Sequence, residues 1–341
     1  MTRIVVLGGR GFFGRAAVDL LRKEGLAPLV ASRRAGGDLL ADAEHSGSLR
    51  VALRSGDLII DAAGPFQRRS TALVEACLAI GCDLIDIADS LDYVRGIQQL
   101  ASRADASGVR VLTACSSVSA VSAALIRLTG CRSPVRVSAV LAPATGNTST
   151  AATAATLVAG LEHPVRSLHG GRLVERRAFS EARPFEFPPP VGRVRARLAE
   201  SPDAITLPLV WPTLRTVDFW MDTRRGVLNA LFGLAARSRV VRTLVFAGQP
   251  LGRRLTKTFG ARSGGFGIEV EDAGGERIAA GFVHATHSYL VAVAPVVLAA
   301  KAIARGSLGG RGLIAANRFV DPRELVEYLG RIGVRGFGFE S

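Results

Sequence analysis

A glycine-rich segment near the start of the chain has the residue types and spacing that bind a dinucleotide. Gly9, Gly11 and Gly14 form a G-x-G-x-x-G pattern between the apolar run 3–7 and a stretch with helical apolar spacing. In this context one glycine permits a tight turn, the next lets a pyrophosphate approach the backbone, and the third lets the helix pack on the sheet. The phosphates then lie at a helix N-terminus, which favours anions. The residues predicted to contact the dinucleotide here are Gly8, Gly9, Gly11, Phe12, Phe13 and Gly14.

The residues after the second apolar run, 28–32, bear on which nicotinamide dinucleotide is bound. A carboxylate about 20 residues after the glycine pattern would accept a hydrogen bond from the ribose 2′-hydroxyl of NAD. This chain has Ser32, Arg33 and Arg34 there, and the next acidic residue is Asp38. Arginine binds phosphate through charge-assisted, often bidentate hydrogen bonds. The sequence therefore predicts NADP(H), held at its 2′-phosphate by these three residues, although arginines that merely face solvent are the alternative.

Apolar runs alternate with helical spacing through the first 125 residues. Further strands are expected at 57–62, 83–88 and 109–113, with helices at 71–80 and 91–106 between them. Near-continuous apolar strands separated by helices indicate a parallel sheet that is covered on both faces. The predicted fold class is therefore α/β, with a Rossmann-type doubly wound parallel sheet.

The pattern changes after residue 126. Residues 213–222 alternate like a half-buried strand, and a hairpin is expected around Ala273, Gly274 and Gly275. These features predict an inserted, antiparallel α+β domain, after which the chain returns to helices. The predicted division is a Rossmann NADP-binding domain at 1–125 plus 289–341, and a substrate-binding domain at 126–288 in which dimerisation is a further role.

Several further segments together resemble the saccharopine dehydrogenase (reductase)-like family. They are ASR at 31–33, DLIIDAAGPF at 57–66, VEAC at 74–77 and DLIDIAD at 83–89. The resemblance implies an NADP-binding Rossmann domain, a substrate domain inserted before the last helices, and frequently a dimer. It also implies that Ala63, Gly64, Pro65 and Phe66 line the nicotinamide ribose. The family includes enzymes with different substrates, so the resemblance does not fix the reaction.

Three predicted strand ends bring together the candidates for catalysis. In open parallel sheets, ligands bind outside the carboxyl ends of the strands, where Asp86, Asp89 and Cys115 are expected. Asp89 is the candidate acid and a further cofactor contact, with helix capping or pairing to arginine as the structural alternative. Cys115 is a second candidate.

A third candidate, His287, follows the predicted hairpin and could donate a proton near the nicotinamide. It lies three residues after His284, and on a continuing strand the two would face opposite sides. No nearby pattern supplies further ligands, so no metal site is predicted.

The chain has a net charge of +14, and it is unevenly distributed. Residues 1–125 hold 14 basic and 13 acidic side chains. The remaining residues, 126–341, hold 29 of the 43 basic residues but only 16 of the 29 acidic ones. Residues 166–197, with eight arginines, suggest a mobile lid over an anionic substrate. An apolar stripe flanked by arginines suggests contact with an anionic membrane or an acyl-carrier partner; it comprises Val227, Leu231, Leu234, Val241 and Val245. No nucleic-acid readout motif accompanies the charge.

Together these features predict an NADP(H)-dependent oxidoreductase. The reaction would transfer a hydride to or from a C=N, C=O or activated C=C bond of an anionic small-molecule, carrier-linked or lipid-linked substrate. The alternative is a non-catalytic NADP(H)-binding regulator whose second domain contacts a partner. The family resemblance implies a homodimer. A cytoplasmic location is expected because the four cysteines form no CxxC pair and the longest apolar run is too short to span a membrane.

Overall fold

The computed structural model describes residues 2–150, 153 and 160–339, and the chain divides into two compact units. The first unit contains residues up to 121 together with 292–321, and the second contains 122–291 together with the residues from 322 onward. The strands described are β1 (Ile4–Leu7), β2 (Leu29–Ser32), β3 (Leu39–Leu40), β4 (Leu58–Asp61), β5 (Asp83–Asp86), β6 (Arg110–Leu112), β7 (Pro134–Ala142), β8 (Val165–His169), β9 (Arg172–Arg176), β10 (Ala182–Glu186), β11 (Arg193–Ala199), β12 (Thr216–Met221), β13 (Gly264–Asp272), β14 (Arg277–His284), β15 (Gly312–Leu313) and β16 (Arg335–Phe337).

Helices cover the sheet edges and faces between these strands. Those described are α1 (Phe12–Lys23), α2 (Ser46–Ala52), α3 (Ala72–Ile80), α4 (Leu91–Gln98), α5 (Ala101–Ser107), α6 (Ala120–Leu128), α7 (Thr145–Thr148), α8 (Asp203–Thr206), α9 (Gly226–Ala235), α10 (Arg239–Ala247), α11 (Gln249–Phe259), α12 (Leu290–Ala304) and α13 (Pro322–Arg331), with 3-10 turns at Phe66–Arg68 and Ala316–Arg318. Among these described helices, none has the length and hydropathy needed to cross a membrane.

The first unit contains a seven-stranded parallel sheet. Its order is β15-β6-β5-β4-β1-β2-β3, and every neighbouring pair is parallel. All residues of β1 and β4 are buried, as expected of strands covered by helices on both faces. The strand order reverses between β1 and β4, which is where open α/β sheets bind ligands. The predicted Rossmann fold class is confirmed.

The second unit contains a mixed sheet. Its order is β10-β11-β12-β7-β13-β14-β16, with β8 pairing to β12 and β9. The prediction of an antiparallel domain is wrong at its centre, because β12 and β7 run parallel. Residues 143–215, which include β8 to β11, separate these two strands and supply the long connection that a parallel pair requires. For the same reason β12 is not half-buried: Thr216–Trp220 are all buried, since neighbours flank the strand and both of its faces are covered.

The arginine-rich segment 166–197 is built into this sheet as strands β8 to β11, so the predicted mobile lid is wrong. Its aromatic residues Phe185 and Phe187 are buried in the core of the unit. Several of its arginines are paired: Arg166 with Glu200 at 2.8 Å, Arg176 with Asp218 at 2.9 Å, and Arg183 with Glu269. Pairing and strand hydrogen bonds hold this segment in place.

The last residues of the chain belong to a different unit from the one predicted. Residues from 322 onward cluster with the second unit, because β16 pairs with β14 through Phe337, Gly336 and Arg335. Most of α12 remains with the first unit, where Lys301 pairs with Glu24. The predicted return to helices is confirmed by α12 and α13, but spacing within a helix does not specify which sheet it accompanies.

Candidate functional site

The loop between β1 and α1 has the geometry of a phosphate-binding turn. Gly8 has φ +71°, and a Cβ there would lie 2.7 Å from the Ala62 carbonyl oxygen. A Cβ at Gly14 would lie 2.2 Å from the Gly8 carbonyl oxygen, so the helix approaches the loop only because this residue is glycine. Gly11 is the exposed N-cap of α1, offers no side-chain cap, and is followed by a first turn without acidic residues. The positive end of the helix dipole is therefore left for an anion.

Arginine side chains gather where β2 ends. Arg33 and Arg34 are exposed and form no ion pair with any residue that the structure describes. The Ser32 hydroxyl accepts a hydrogen bond from the Arg34 N–H at 3.1 Å, which fixes the turn that presents them. Arg10, from the glycine loop, donates to the Ala35 carbonyl oxygen at 2.7 Å and so joins the two loops. The nearest carboxylate along the chain, Asp38, accepts the Val30 N–H at 2.7 Å and is used to hold the strand edge.

An open cleft of about 420 Å³ extends from the glycine loop along α1 to the loop after β2. Arg10, Arg15 and Arg22 line it, together with Asp19 and Asp38. The cleft runs from Gly9 and Arg10 along α1 to Gly36 and Gly37, and Arg33 and Arg34 do not line it.

A buried ion pair holds the loop that follows β4. Asp61 is fully buried, and Arg69 Nη2 lies 3.0 Å from its Oδ2. Arg69 also donates to the Ala63 carbonyl oxygen at 2.7 Å and contacts Glu44 through Nε. Asp61 Oδ1 accepts the Ala63 N–H at 2.9 Å. The Asp61 carboxylate raises the pKa of Arg69 despite its burial. The N–H and the carbonyl oxygen of Ala63 are thus both hydrogen-bonded. This fixes the backbone beside Gly8, at the point where the strand order reverses.

The predicted nicotinamide-ribose segment is divided between surface and interior. Gly64 is exposed, and Ala63 and Pro65 are half-buried, so their backbone is open to a ligand. The Phe66 ring is buried and packs against Tyr93 with ring centroids 5.2 Å apart. Phe66 therefore supports the segment from beneath.

Asp89 lies next to this segment. Gln67 Nε2 donates to its Oδ1 at 3.1 Å, which joins the loops after β4 and β5. Loss of solvent raises the pKa of the half-buried Asp89 carboxyl, although the hydrogen bonds from Gln67 and from its own backbone favour the charged form. Such a carboxyl keeps its proton to a higher pH than a solvated one, which is what a general acid requires.

The other two predicted strand-end residues are enclosed. Asp86 Oδ1 accepts the N–H groups of Ala88 and Ala114 at 2.9 and 2.7 Å, and burial raises its pKa to about 7. Cys115, the residue after Ala114, is fully buried. Burial and the Asp86 charge raise the pKa of its thiol. A reactive cysteine needs thiolate character and access. In this structure Cys115 has neither, and its surroundings are those of a packing residue.

His287 belongs to the second unit, in the turn after β14. His284 Nδ1 accepts the N–H groups of Thr286 and His287, both at 2.9 Å, so that nitrogen carries no proton. The two imidazole centroids lie 5.4 Å apart. The two rings would face opposite sides only on a continuing strand, and β14 ends at His284, where the chain turns. Burial lowers the pKa of His284, and the His287 charge adds to that effect. No cluster of three or more potential metal ligands occurs among the residues that the structure describes.

Sequence reasoning missed two arginines. Arg10 lies inside the glycine pattern, at a position that the pattern leaves free, so only the fold shows that it reaches the loop after β2. Arg69 follows the predicted ribose segment by three residues and resembles any surface arginine in sequence. A signal was present, since the buried strand end at Asp61 needs a partner for its charge.

Comparison with known proteins places this geometry among dehydrogenase folds. The chain is 29% identical over 137 residues to "Lipid droplet localized protein" of Caenorhabditis elegans, covering 33% of this chain and 32% of that protein. It is 26% identical over 140 residues to a "Probable mitochondrial saccharopine dehydrogenase-like oxidoreductase" of Arabidopsis thaliana, covering 33% and 31%. The chain thus spans about a third of the length of the curated relatives it matches.

A solved structure matches over the whole length. Apo saccharopine dehydrogenase (L-Glu forming) from Saccharomyces cerevisiae covers 99% of this chain and 99% of its own, with a TM-score of 0.60 and 12% identity. The chain resembles saccharopine dehydrogenase-like proteins. This confirms the resemblance predicted from sequence, and at this identity the structural likeness establishes a saccharopine dehydrogenase-like fold. No protein-family model matches the chain.

Proposed function

We propose that the protein is an NADP(H)-dependent oxidoreductase. The observation that carries the proposal is the pairing of the glycine loop with the arginines at the end of β2. The loop excludes any side chain at Gly14 and leaves the start of α1 without an acidic residue. Arg10, Arg33 and Arg34 belong to the two loops beside the end of β2, where we expect a 2′-phosphate to bind, and the carboxylate of Asp38 accepts the Val30 N–H. Arginine's planar guanidinium suits that phosphate through bidentate hydrogen bonds.

The reaction we propose is hydride transfer to a C=N, C=O or activated C=C bond, or its reverse. The bound nicotinamide supplies the hydride. The Arg69–Asp61 pair holds the backbone of Ala63 and Gly64 in position against the nicotinamide ribose. Asp89 then donates the proton to the atom that becomes negatively charged when the hydride adds to its neighbour. Burial raises the pKa of this carboxyl, which favours its protonated form.

The substrate we propose is anionic, either small or linked to a carrier or lipid. The second unit, residues 122–291 and 322–341, carries 25 basic and 15 acidic side chains, which draws anions toward it. His287 remains a candidate proton donor of that unit, and a homodimer remains a prediction.

The test is a fluorescence titration with NADPH and NADH. We expect the wild type to bind NADPH at least about tenfold more tightly than NADH, a difference of about 1.4 kcal/mol. The double variant Arg33→Ala/Arg34→Ala should lose this preference and keep its NADH affinity, because only the 2′-phosphate contact is removed. Arg50→Ala is the control, since Arg50 is an exposed arginine in the last turn of α2. Equal affinities in the wild type would show that the arginines do not select NADPH.

A non-catalytic NADP(H)-binding regulator is the second candidate. The enclosed positions of Asp86 and Cys115 favour it, since they leave Asp89 as the one accessible acid among the three strand-end candidates. Turnover separates the two: NADPH oxidation would be followed with 2-oxo acids, imines formed from them, and enoyl thioesters. Oxidation with one of these that falls at least about a hundredfold in Asp89→Asn supports the enzyme and the assigned acid. Binding without oxidation by any of them supports the regulator.

A further inference from the structure

Three successive helices of the second unit expose large apolar side chains. Helices α10 and α11 contain no buried residue. The apolar face, as we define it, comprises side chains whose exposed fractions lie between 50% and 81%, namely Val227, Leu234, Val240, Leu244, Leu251, Leu255 and Phe259. Exposed leucine, valine and phenylalanine occur singly on most proteins, but seven within 33 residues form a patch of the kind that binds a partner or a membrane.

Helix α11 turns its apolar side away from the protein. Leu251, Leu255 and Phe259 are spaced four apart, so they lie along one side of the helix, and all three are exposed. The more enclosed positions are instead Gln249, Gly252, Arg253 and Thr256. Gly260 follows the helix, and a Cβ there would meet the Gly146 nitrogen at 2.5 Å, so this end of α11 packs closely on α7. A surface helix normally buries its apolar side, and this inversion indicates that the exposed side has a partner.

Helix α10 shows that the exposure is selective. Val241 and Val245 pack against the core of the unit, whereas Val240 and Leu244 are exposed. The stripe predicted from sequence therefore requires correction, because its members Val241 and Val245 already have a partner in the core. Helix α10 thus exposes apolar side chains of its own, directly before α11 in the chain.

The charge around the apolar face has a single sign. Residues 223–268 contain nine arginine and lysine residues and no aspartate or glutamate. Those that are exposed form no ion pair with the part of the chain that the structure describes; they are Arg225, Arg237, Arg239, Arg254, Lys257 and Arg262. An apolar side bordered by long cationic side chains is the arrangement of helices that lie in the interface of an anionic bilayer.

We propose that the apolar face docks onto an anionic lipid bilayer surface. The leucine, valine and phenylalanine side chains would enter the boundary between headgroups and acyl chains, and the bordering arginines and lysine would contact lipid phosphates. A second copy of the chain fits this face less well, because a twofold interface would bring the same cationic borders together. The helices lie on the membrane and do not cross it, in keeping with their length.

This inference does not depend on the proposed reaction. None of the residues in the apolar face belongs to the unit that contains the glycine loop. Failure of NADPH binding and failure of membrane docking are therefore separate outcomes, measured with different ligands.

The test is flotation of the full chain with vesicles. Wild type should bind phosphatidylcholine vesicles containing about 30 mol% phosphatidylglycerol and should bind pure phosphatidylcholine at least about tenfold more weakly. The triple variant Leu251→Gln/Leu255→Gln/Phe259→Gln should bind the anionic vesicles at least about tenfold more weakly than wild type. The control is Leu40→Gln/Leu209→Gln, which changes leucines that are 66% and 68% exposed and lie outside the apolar face. It should bind as wild type does.

Three further measurements examine the role of charge and the depth of insertion. Arg254→Gln/Lys257→Gln should weaken vesicle binding at least about fivefold, whereas the exposed arginines changed in Arg50→Gln/Arg305→Gln should not matter. Raising the salt from about 0.1 M to about 0.5 M should also weaken wild-type binding, because it shortens the Debye length. A tryptophan introduced by Phe259→Trp should be quenched by brominated acyl chains beyond the quenching seen with wild type.

The proposal is overturned if the triple variant binds anionic vesicles as strongly as wild type, or if neutral and anionic vesicles bind equally. It is also overturned if wild type ignores vesicles but binds an acidic acyl-carrier protein. Light scattering provides the remaining check. A dimer that the triple variant converts to a monomer would assign the apolar face to a second copy of the chain.

Discussion

A single carbon atom added at Gly14 would meet the backbone of the glycine loop. A Cβ there lies 2.2 Å from the Gly8 carbonyl oxygen and 2.8 Å from the Gly9 Cα. We therefore expect Gly14→Ala to displace α1 from the loop, to lower the free energy of unfolding by about 1–3 kcal/mol, and to weaken NADPH binding at least about tenfold. Denaturant unfolding and the fluorescence titration would measure the two effects.

Gly330→Ala is the matched control for this prediction. Gly330 lies within α13, and a Cβ there has no atom within 4 Å. Alanine is the better helix former by up to about 1 kcal/mol, so this variant should be unchanged or slightly more stable. A Gly14→Ala protein that binds NADPH as wild type does would contradict the assignment of this loop to the phosphates.

Asp86 predicts a pH dependence of stability. Its pKa is about 7 in the folded protein and near 3.8 when solvated, so the folded state binds this proton more tightly. The stabilisation is complete below the unfolded value and is lost as the pH rises toward 7. Asn at this position can still accept from Ala88 and Ala114, but it does not ionise. Between pH 4.5 and 8, wild type should therefore lose about 3 kcal/mol relative to Asp86→Asn.

The measurement is denaturant unfolding of both proteins at several pH values. Comparing the two chains cancels the titration of other groups, including His284, whose lowered pKa acts in the opposite direction as the pH rises. A difference between the two proteins that does not change with pH would show that Asp86 has an ordinary pKa.

At the scale of elements, the loop after β4 depends on one side chain. Arg69 is paired with the fully buried Asp61, and its removal leaves that carboxylate without a counter-charge. We expect Arg69→Met to lower the free energy of unfolding by about 3–5 kcal/mol. NADPH binding should weaken as well in protein that remains folded, because the Ala63 carbonyl loses its donor.

Arg103→Met is the control for that element. Arg103 is 58% exposed in its side chain and pairs with Glu75 at 3.4 Å, so its loss should cost at most about 1 kcal/mol. If Arg69→Met and Arg103→Met unfolded at the same denaturant concentration, the buried pair would have no special structural role. The double variant Asp61→Asn/Arg69→Met should recover part of the loss, since it removes the buried charge.

The elements also show what the sequence could predict. Continuous apolar runs predicted the central parallel strands. The glycine pattern became specific because it follows one of these runs and precedes a helix. Both features are local in the sequence, so they could be read from it. The parallel pairing of β12 with β7 depends on partners far apart in the chain, and local periodicity does not record it. Likewise, helical spacing could not show that Val241 faces the core whereas Leu244 faces solvent, because that depends on where the rest of the unit lies.

At the scale of the whole molecule, the net charge of +14 predicts a dependence of stability on salt. Like charges repel within the folded chain, and salt screens exposed charges more than buried pairs such as Arg69–Asp61. We expect the melting temperature to rise by a few degrees, roughly 2–6 °C, between about 20 mM and 300 mM NaCl.

Arg237→Glu/Arg254→Glu/Lys257→Glu lowers the net charge by six where 223–268 has no acidic residue, and it should remove much of this rise. Arg50→Glu/Arg54→Glu/Arg68→Glu makes the same change at exposed arginines within residues 1–125, which are nearly balanced, and it should remove less. A melting temperature that falls with added salt would mean that the ion pairs outweigh the repulsion.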